Sequence, residues 1–352
     1  MRLALVGDGD SPHLLKWARA LVAADVEVWA ASSRGFGPGF DAVVPTARRL
    51  ALATTPRFEG GNVALLRTLP RLALWLRRVR PDWVHAHYLT SHGTLAWLAM
   101  RLFGAPGRLV GSAWGSDVLV TPKRGAAWRW VTSKVLGACA VTTSDSQVMA
   151  ARMRELGARE VMVFPFGLEA MPPLPDAKDE WQFFANRGLE PVYAPERVLA
   201  QFVALAGAEG RLVVANDGSL RPALVRQAAA LGVADRVDFV GRLDATVQAR
   251  AYARARWYLS LPGSDSVSVS VLEAMAHGCV PILSDLPANR ELVRDGVNGL
   301  IVPDNDLLSR AAVSAFAPQA DAAAAHNRQW VLQHALFAPC VAAFVARLRQ
   351  LA

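Results

Sequence analysis

A chain of 352 residues, at ~150 residues per domain, has room for two domains. Apolar residues make up 53% and charged residues 19%, enough for packed cores and too apolar for global disorder. The three cysteines (Cys139, Cys279, Cys340) lie far apart and match no metal spacing; they exclude a disulfide framework and set a reducing cytoplasm as the expected compartment. No uncharged apolar run reaches the ~18 residues of a membrane span, and Asp8 and Asp10 interrupt the apolar start too early for a secretory signal. Residues 1–170 carry 21 Lys+Arg against 12 Asp+Glu, and residues 171–352 carry 17 against 18, so the net charge of +8 arises in the first half. Such asymmetry points that half toward something anionic.

Arg2 to Val6 reads as a buried strand, Gly7-Asp8-Gly9-Asp10 as a turn, and Ser11-Pro12 as the start of a helix running to Ala23. A strand at Val26–Ala30 completes a Rossmann-like opening. Further strands are expected at Trp83–His85, Arg108–Gly111, Ala140–Thr143 and Val161–Pro165, with helices at Gly93–Leu102 and Ser146–Leu156. Residues 171–179, rich in proline and charge, read as a linker. Strands follow at Phe183–Asn186, Arg211–Ala215, Val237–Val240, Trp257–Leu261 and Val280–Ser284. They alternate with helices at Val198–Ala206, Pro222–Leu231, Val247–Ala255 and Val271–His277. The end is helical from about Leu308, closing with Trp330–Leu351. The expected architecture is α/β: two doubly wound Rossmann-like domains facing across a cleft, with ligands at the carboxyl ends of the strands.

The stretch Leu261 to Gly278 carries the densest chemistry. Asp265 and Glu273 lie eight positions apart, with Glu273 expected in the first turn of a helix. The hydroxyls of Ser266, Ser268 and Ser270 precede that helix, whose free backbone N–H groups suit a diphosphate. A carboxylate just beyond can accept from ribose hydroxyls. The competing reading is that Ser-Val-Ser-Val-Ser-Val is an amphipathic strand of period two.

This stretch resembles the donor-binding signature of GT-B glycosyltransferases of the retaining group called family 4. In that signature two acidic residues separated by seven are followed by Ala-Met and Gly; here they are Asp265, Glu273-Ala274-Met275 and Gly278. Val280 to Glu291, Asp295 to Val302, Val213 to Leu220 with Gly218, and Val240-Gly241-Arg242-Leu243 are similar to the same family. The first acidic position is Asp265 where Glu is usual, and serine and valine replace the following glycines. The resemblance implies that Arg187, after the first strand of the second domain, contacts the diphosphate, and that Tyr193 stands where a lysine is usual. It also implies that Gly111-Ser-Ala-Trp114-Gly115-Ser116-Asp117 is the loop that usually reads His-Gly-x-Asp, with Trp114 in place of the imidazole. Gly9, His13, His87, Trp114 and Asp117 are the implied acceptor side. Arg187, Asp265, Glu273, His87 and Asp117 are the implied catalytic set.

His85 and His87 alternate onto one face of their strand, and His92 lies five positions beyond His87. A His-x-His metal site is conceivable, yet no third ligand is evident, so no metal is expected. Two basic-aromatic segments, Asn62–Pro81 and Lys123–Lys134, fit an interfacial helix on anionic lipid or an ordinary surface helix facing its own sheet; Pro70 starts or kinks the first.

The resemblance therefore implies a retaining, metal-independent glycosyltransferase of cell-surface polysaccharide or glycolipid assembly, with a UDP- or GDP-linked donor sugar and no other cofactor. Its partners would be a sugar or lipid-linked acceptor and an anionic membrane surface on the cytoplasmic side, and no nucleic acid. Its domains would be 1–170 (acceptor side), 180–325 (donor side) after the linker, and a helical segment 326–352 packing back on the first domain. A nucleotide-sugar epimerase on the same fold remains an alternative. A nucleic-acid-binding protein lacks a readout motif, and a nicotinamide dehydrogenase lacks the third glycine after Gly7 and Gly9.

Overall fold

A computed structural model describes residues 1–54, 63–175 and 177–352, without the side chains of 63 and 64. Asn62 of the basic segment and Asp176 of the expected linker thus lie outside the described residues. The chain forms two compact units, Met1–Phe164 with Phe337–Ala352, and Pro165–Leu336.

The first unit is built on seven strands: β1 (Arg2–Gly7), β2 (Glu27–Ser32), β3 (Arg49–Ala51), β4 (Trp83–His87), β5 (Arg108–Ser112), β6 (Val141–Ser144) and β7 (Val161–Val163). They pair in parallel in the order β3-β2-β1-β4-β5-β6-β7. A parallel sheet is covered on both faces, which is why β1 reads as the unbroken apolar run Leu3-Ala4-Leu5-Val6, all fully buried. On one face Leu72, Leu76, Leu95 and Leu136 of helices Leu69–Val79, Thr94–Phe103 and Ala126–Ala138 form the core. On the other, Trp17 of helix Pro12–Ala23 meets Phe337 and Phe344 of the last helix, Phe337–Leu351, at ring distances of 5.0 and 5.4 Å. Of the expected closing segment 326–352, residues 337–352 pack back on the first unit, whereas 326–336 belong to the second.

The second unit repeats the topology. Its strands β8 (Asp179–Ala185), β9 (Arg211–Ala215), β10 (Val237–Gly241), β11 (Ala255–Ser260), β12 (Val280–Ser284) and β13 (Leu300–Val302) run parallel in the order β10-β9-β8-β11-β12-β13. Strand order reverses at β1/β4 and at β8/β11. Loops leave these two points in opposite directions and open a crevice at the carboxyl edge of each sheet.

The structure decides several local expectations. Ser-Val-Ser-Val-Ser-Val is not a strand: Ser268 occupies the N-cap position of helix Val269–Ala276, whose Leu-Glu-Ala-Met-Ala are strong helix formers. Glu273 accordingly lies in the second turn, not the first. The closing helix is two helices, Ala320–His334 and Phe337–Leu351, because Pro339 would drive its ring into the carbonyl of residue 335 in a continuous helix. Pro70 sits in the first turn of Leu69–Val79 and starts it rather than kinking it.

Candidate active site

At the β8/β11 switch point, β8 delivers Asn186 and Arg187, and the loop after β11 delivers Asp265 and the serines. Arg187 Nη2 donates to Asp265 Oδ2 at 2.7 Å. Its Nη1 donates to Ser268 Oγ and, at 3.3 Å, to Ser270 Oγ. The two serine hydroxyls are 2.8 Å apart. The Tyr193 ring lies under the guanidinium, 4.4 Å from its carbon to the ring centre. Arg187 Nε is buried and has no hydrogen-bond partner among the described residues. Burial is the largest influence and works against the Arg187 charge, but the Asp265 carboxylate together with Tyr193, Tyr258 and Tyr252 offsets it and leaves the group above its ordinary range. Burial raises the Asp265 carboxyl, with Arg187 and the Ser266 amide pulling the other way.

Both Asp265 oxygens are engaged: Oδ1 accepts from the Ser266 amide at 3.0 Å. The shorter Asp, where the resembling enzymes carry Glu, is thereby drawn to Arg187. A phosphate taken up beside the guanidinium would stand about 5 Å from this carboxylate and be repelled by about 3 kcal/mol at an effective dielectric of ~20. That exceeds the ~1 kcal/mol of a lost orienting hydrogen bond. Allowing for partial exposure, Asp265→Asn is expected to bind free nucleoside diphosphate about tenfold more tightly while transferring sugar more slowly. Calorimetric titration with UDP and GDP beside a turnover assay checks both.

Glu273 joins the cluster from the helix side. Its Oε2 accepts from the Tyr252 hydroxyl at 2.9 Å and from Gln248 Nε2 at 3.4 Å. Tyr252 in turn accepts from Asn186 Nδ2 at 2.8 Å, and Asn186 Oδ1 accepts from the Tyr258 hydroxyl at 2.7 Å. Asn186 O accepts from Asn216 Nδ2 at 2.8 Å. Burial holds both tyrosines well above the usual phenol range, so they remain hydroxyl donors at any working pH. This network locks the backbone before Arg187 to the carboxylate of Glu273. Its three central members, Asn186, Tyr252 and Tyr258, escaped sequence reasoning; the one available signal was an Asn directly before the candidate arginine.

Gly218 and Leu243 lie on the loops after β9 and β10. A Cβ at Gly218 would stand 2.3 Å from Leu189 O, so only glycine lets this turn close on the loop after Arg187. Leu243 packs, partly buried, against the core cluster that contains Val271 and Leu272. Ser266 is buried, 3% exposed, under the Asp265 loop.

At the β1/β4 switch point of the first unit, His87 ends β4 and shares its face with His85, as the alternation predicts. His85 Nε2 is 2.7 Å from Ser112 Oγ, which is 2.6 Å from Thr143 Oγ1. Burial pushes His85 down to about 3 and His92 to about 4, so both rings are neutral. Gly9 has Gly35 O and the Phe36 ring each 2.6 Å from where a Cβ would sit. The His13 ring lies 4.7 Å from that of Trp114, and Trp114 Nε1 donates to His87 Nδ1 at 3.2 Å. Among the described residues no three His, Cys, Asp or Glu side chains gather as a metal site.

Asp117 is placed as a brace. Its Oδ2 accepts from the Leu89 amide at 2.8 Å and its Oδ1 from the Trp114 amide at 2.9 Å. Burial pushes it up to about 6, with these amides holding it from rising further. An acid whose folded pKa exceeds its unfolded value binds a proton on folding, so stability is lost as pH rises from about 4 through about 6. Two pH units correspond to about 3 kcal/mol. The melting temperature of the native protein relative to Asp117→Asn is expected to fall across that window; an unchanged difference would contradict the buried charge.

Sequence profiles of known families match both units: "Glycosyl transferase 4-like" over residues 2–139 and "Glycosyl transferases group 1" over 187–317. A 76-residue stretch is 36% identical to a phosphatidyl-myo-inositol mannosyltransferase of Mycobacterium leprae, spanning 21% of this chain and 20% of that protein. Among solved structures, sucrose-phosphate synthase from Thermosynechococcus elongatus superposes with a TM-score of 0.82 at 17% identity, over 100% of this chain and 99% of that one. HepE from Anabaena, solved with UDP, has a TM-score of 0.79 at 14% identity, over 99% and 100%. Two parallel Rossmann-like sheets of this order define a GT-B glycosyltransferase fold. The chain belongs to the group 1, family 4-like glycosyltransferases and is a transferase.

Proposed function

We propose that the protein is a retaining glycosyltransferase that uses a UDP- or GDP-linked sugar in assembling bacterial cell-surface polysaccharide or glycolipid. The observation that carries this reading is the Arg187 guanidinium with Ser268 and Ser270 at the amino end of helix Val269–Ala276. A departing diphosphate would take the guanidinium fork, the hydroxyls and the free helix N–H groups, a preorganised stabiliser of leaving-group charge. Glu273, its Oε2 fixed by Tyr252, would accept from the ribose hydroxyls. HepE has been solved with UDP-glucose and with UDP and glucose, which supports a nucleotide-sugar donor. The mannosyltransferase match supports a lipid-linked acceptor.

Among the described residues, no helix is long and apolar enough to cross a membrane. The apolar side of Leu69–Val79 faces its own sheet, and its outer side keeps Arg71, Leu74 and Arg78 exposed. Leu74 is 62%, Leu102 65% and Trp130 57% exposed. Lys134 Nζ lies 5.8 Å from the centre of the Trp130 ring, and Lys123 and Arg129 of the same basic segment are exposed, which fits peripheral attachment to anionic lipid on the cytoplasmic side. Cosedimentation with anionic vesicles at low salt tests this part, and no binding would remove it. For the reaction, the protein is incubated with UDP- and GDP-sugars and a lipid-linked acceptor, and the product's anomeric configuration is read by proton NMR. Retention is expected; an inverted product, or conversion of the sugar nucleotide without acceptor, would overturn the proposal.

A further inference from the structure

Among the described residues the His87 ring makes one hydrogen bond, and it fixes where the ring's proton sits. The Trp114 indole Nε1–H is a donor only, so the nitrogen that faces it at 3.2 Å, His87 Nδ1, carries no proton. The neutral ring must then hold its proton on Nε2. That Nε2 is buried, with no hydrogen-bond partner among the described residues, on a residue only 2% exposed. Burial and its neighbours oppose a second proton. The titratable groups facing the ring are His85 on its own strand, His92 on the turn after β4 and His13 on helix Pro12–Ala23, all of them bases. The ring is thus a neutral donor, and it cannot accept a proton at Nε2.

Trp114 is itself held firmly. Asp117 accepts from its backbone amide at 2.9 Å. The Tyr88 ring stacks on it at 5.7 Å and 21°. Tyr88 adopts φ +62°, a left-handed conformation that is costly for a bulky aromatic residue and holds only where its surroundings enforce it. The chain turns sharply just after His87 and brings the ring of the next residue onto the indole that orients the histidine.

We propose that Trp114 is a positioning residue that locks His87 as the Nε2–H tautomer, and that His87 in this form donates its proton in a hydrogen bond to a sugar oxygen. This rests on the transferase reading above. It assigns His87 as a contact for a hydroxyl or ring oxygen, not as a base that takes the acceptor's proton. A protonated Nε2 has no lone pair for that proton, and Nδ1 is already occupied. Where related enzymes place an imidazole in the 111–117 loop, this chain has an indole in the loop and a donor imidazole on β4.

The test uses the full chain labelled with 13C,15N-histidine and long-range proton–nitrogen correlation, with His87 assigned by its loss in His87→Gln. The native protein is expected to show His87 as Nε2–H, and Trp114→Phe to populate the Nδ1–H form. His87 protonated on Nδ1 in the native protein, or an unchanged tautomer in Trp114→Phe, would overturn the lock. UDP-glucose, GDP-mannose, glucose and mannose are then titrated, with UDP and GDP as sugar-free controls and binding followed by calorimetry. A shift of the His87 Nε2 proton with a free sugar identifies an acceptor contact, and a shift only with a nucleotide-sugar identifies a donor contact. A sugar probe that binds without moving this resonance overturns the contact but leaves the transferase reading standing. If none of these probes binds, the contact and the transferase reading both fail, and the tautomer result stands on its own. In turnover, Trp114→Phe is expected to lose about tenfold, the value of one neutral hydrogen bond. His87→Gln, which returns an N–H near the Nε2 position, is expected to keep about tenfold more activity than His87→Asn. Equal activity in the last two would contradict the assignment.

Discussion

Arg187→Ala is expected to reduce sugar transfer by about 10³-fold or more, the upper range for removing a preorganised stabiliser of developing negative charge. The guanidinium meets Asp265, Ser268 and Ser270 at once. Truncation leaves the Asp265 carboxylate beside the leaving group with nothing to offset it. The position where related enzymes carry a lysine holds Tyr193, whose ring faces the guanidinium but brings no charge. Nucleotide affinity should fall by about 10²-fold, because charge-assisted hydrogen bonds contribute ~1.5–3 kcal/mol each. Arg187→Lys should not restore turnover, since a point charge on a flexible stem cannot span the carboxylate and two hydroxyls. The fold should survive both changes: the site lies at a strand end, and the core of the second unit is centred on residues such as Phe183, Leu212 and Ile282. Turnover assays with thermal melts check this, and a melt collapsing in step with activity would point to misfolding instead.

Glu273→Ala carries the second large effect, an increase of about 10²-fold in donor KM with a smaller change in kcat. A carboxylate accepting from ribose hydroxyls makes charge-assisted bonds, and losing them removes uniform binding of ground and transition states. The substitution also leaves the buried Tyr252 hydroxyl without its carboxylate acceptor. Tyr252→Phe separates the two contributions. It keeps the carboxylate but frees its orientation, so it should raise donor KM by about tenfold, one neutral hydrogen bond's worth. A Glu273→Ala variant with native donor KM would remove the ribose assignment.

Much of the fold is legible because long apolar strands and amphipathic helices alternate. The parallel runs of β1 and β12 and the Ser11-Pro12 helix start needed no tertiary information. The sequence marks the three-residue β7 at Val161–Pro165 but not the equally short β3 and β13. The break before Phe337 was readable in principle from Pro339, but the helical periodicity on both sides masks it. In the site, Arg187, Asp265 and Ser268 are legible because they lie at strand and helix ends, where topology brings them together. Asn186, Tyr252 and Tyr258 are not: they meet across 66 and 72 positions of sequence, and no local spacing encodes that meeting. Asp117 was visible as an acidic residue in a loop, yet its work as a backbone brace depends on the turn that carries Leu89 to it.

The most direct test of the donor site is calorimetric titration of UDP and GDP into the native protein and into Arg187→Ala. The native protein should bind one of the two nucleotides, and Arg187→Ala should bind it about 10²-fold more weakly. Equal affinity in the two proteins, or no binding of either nucleotide to the native one, would contradict the account.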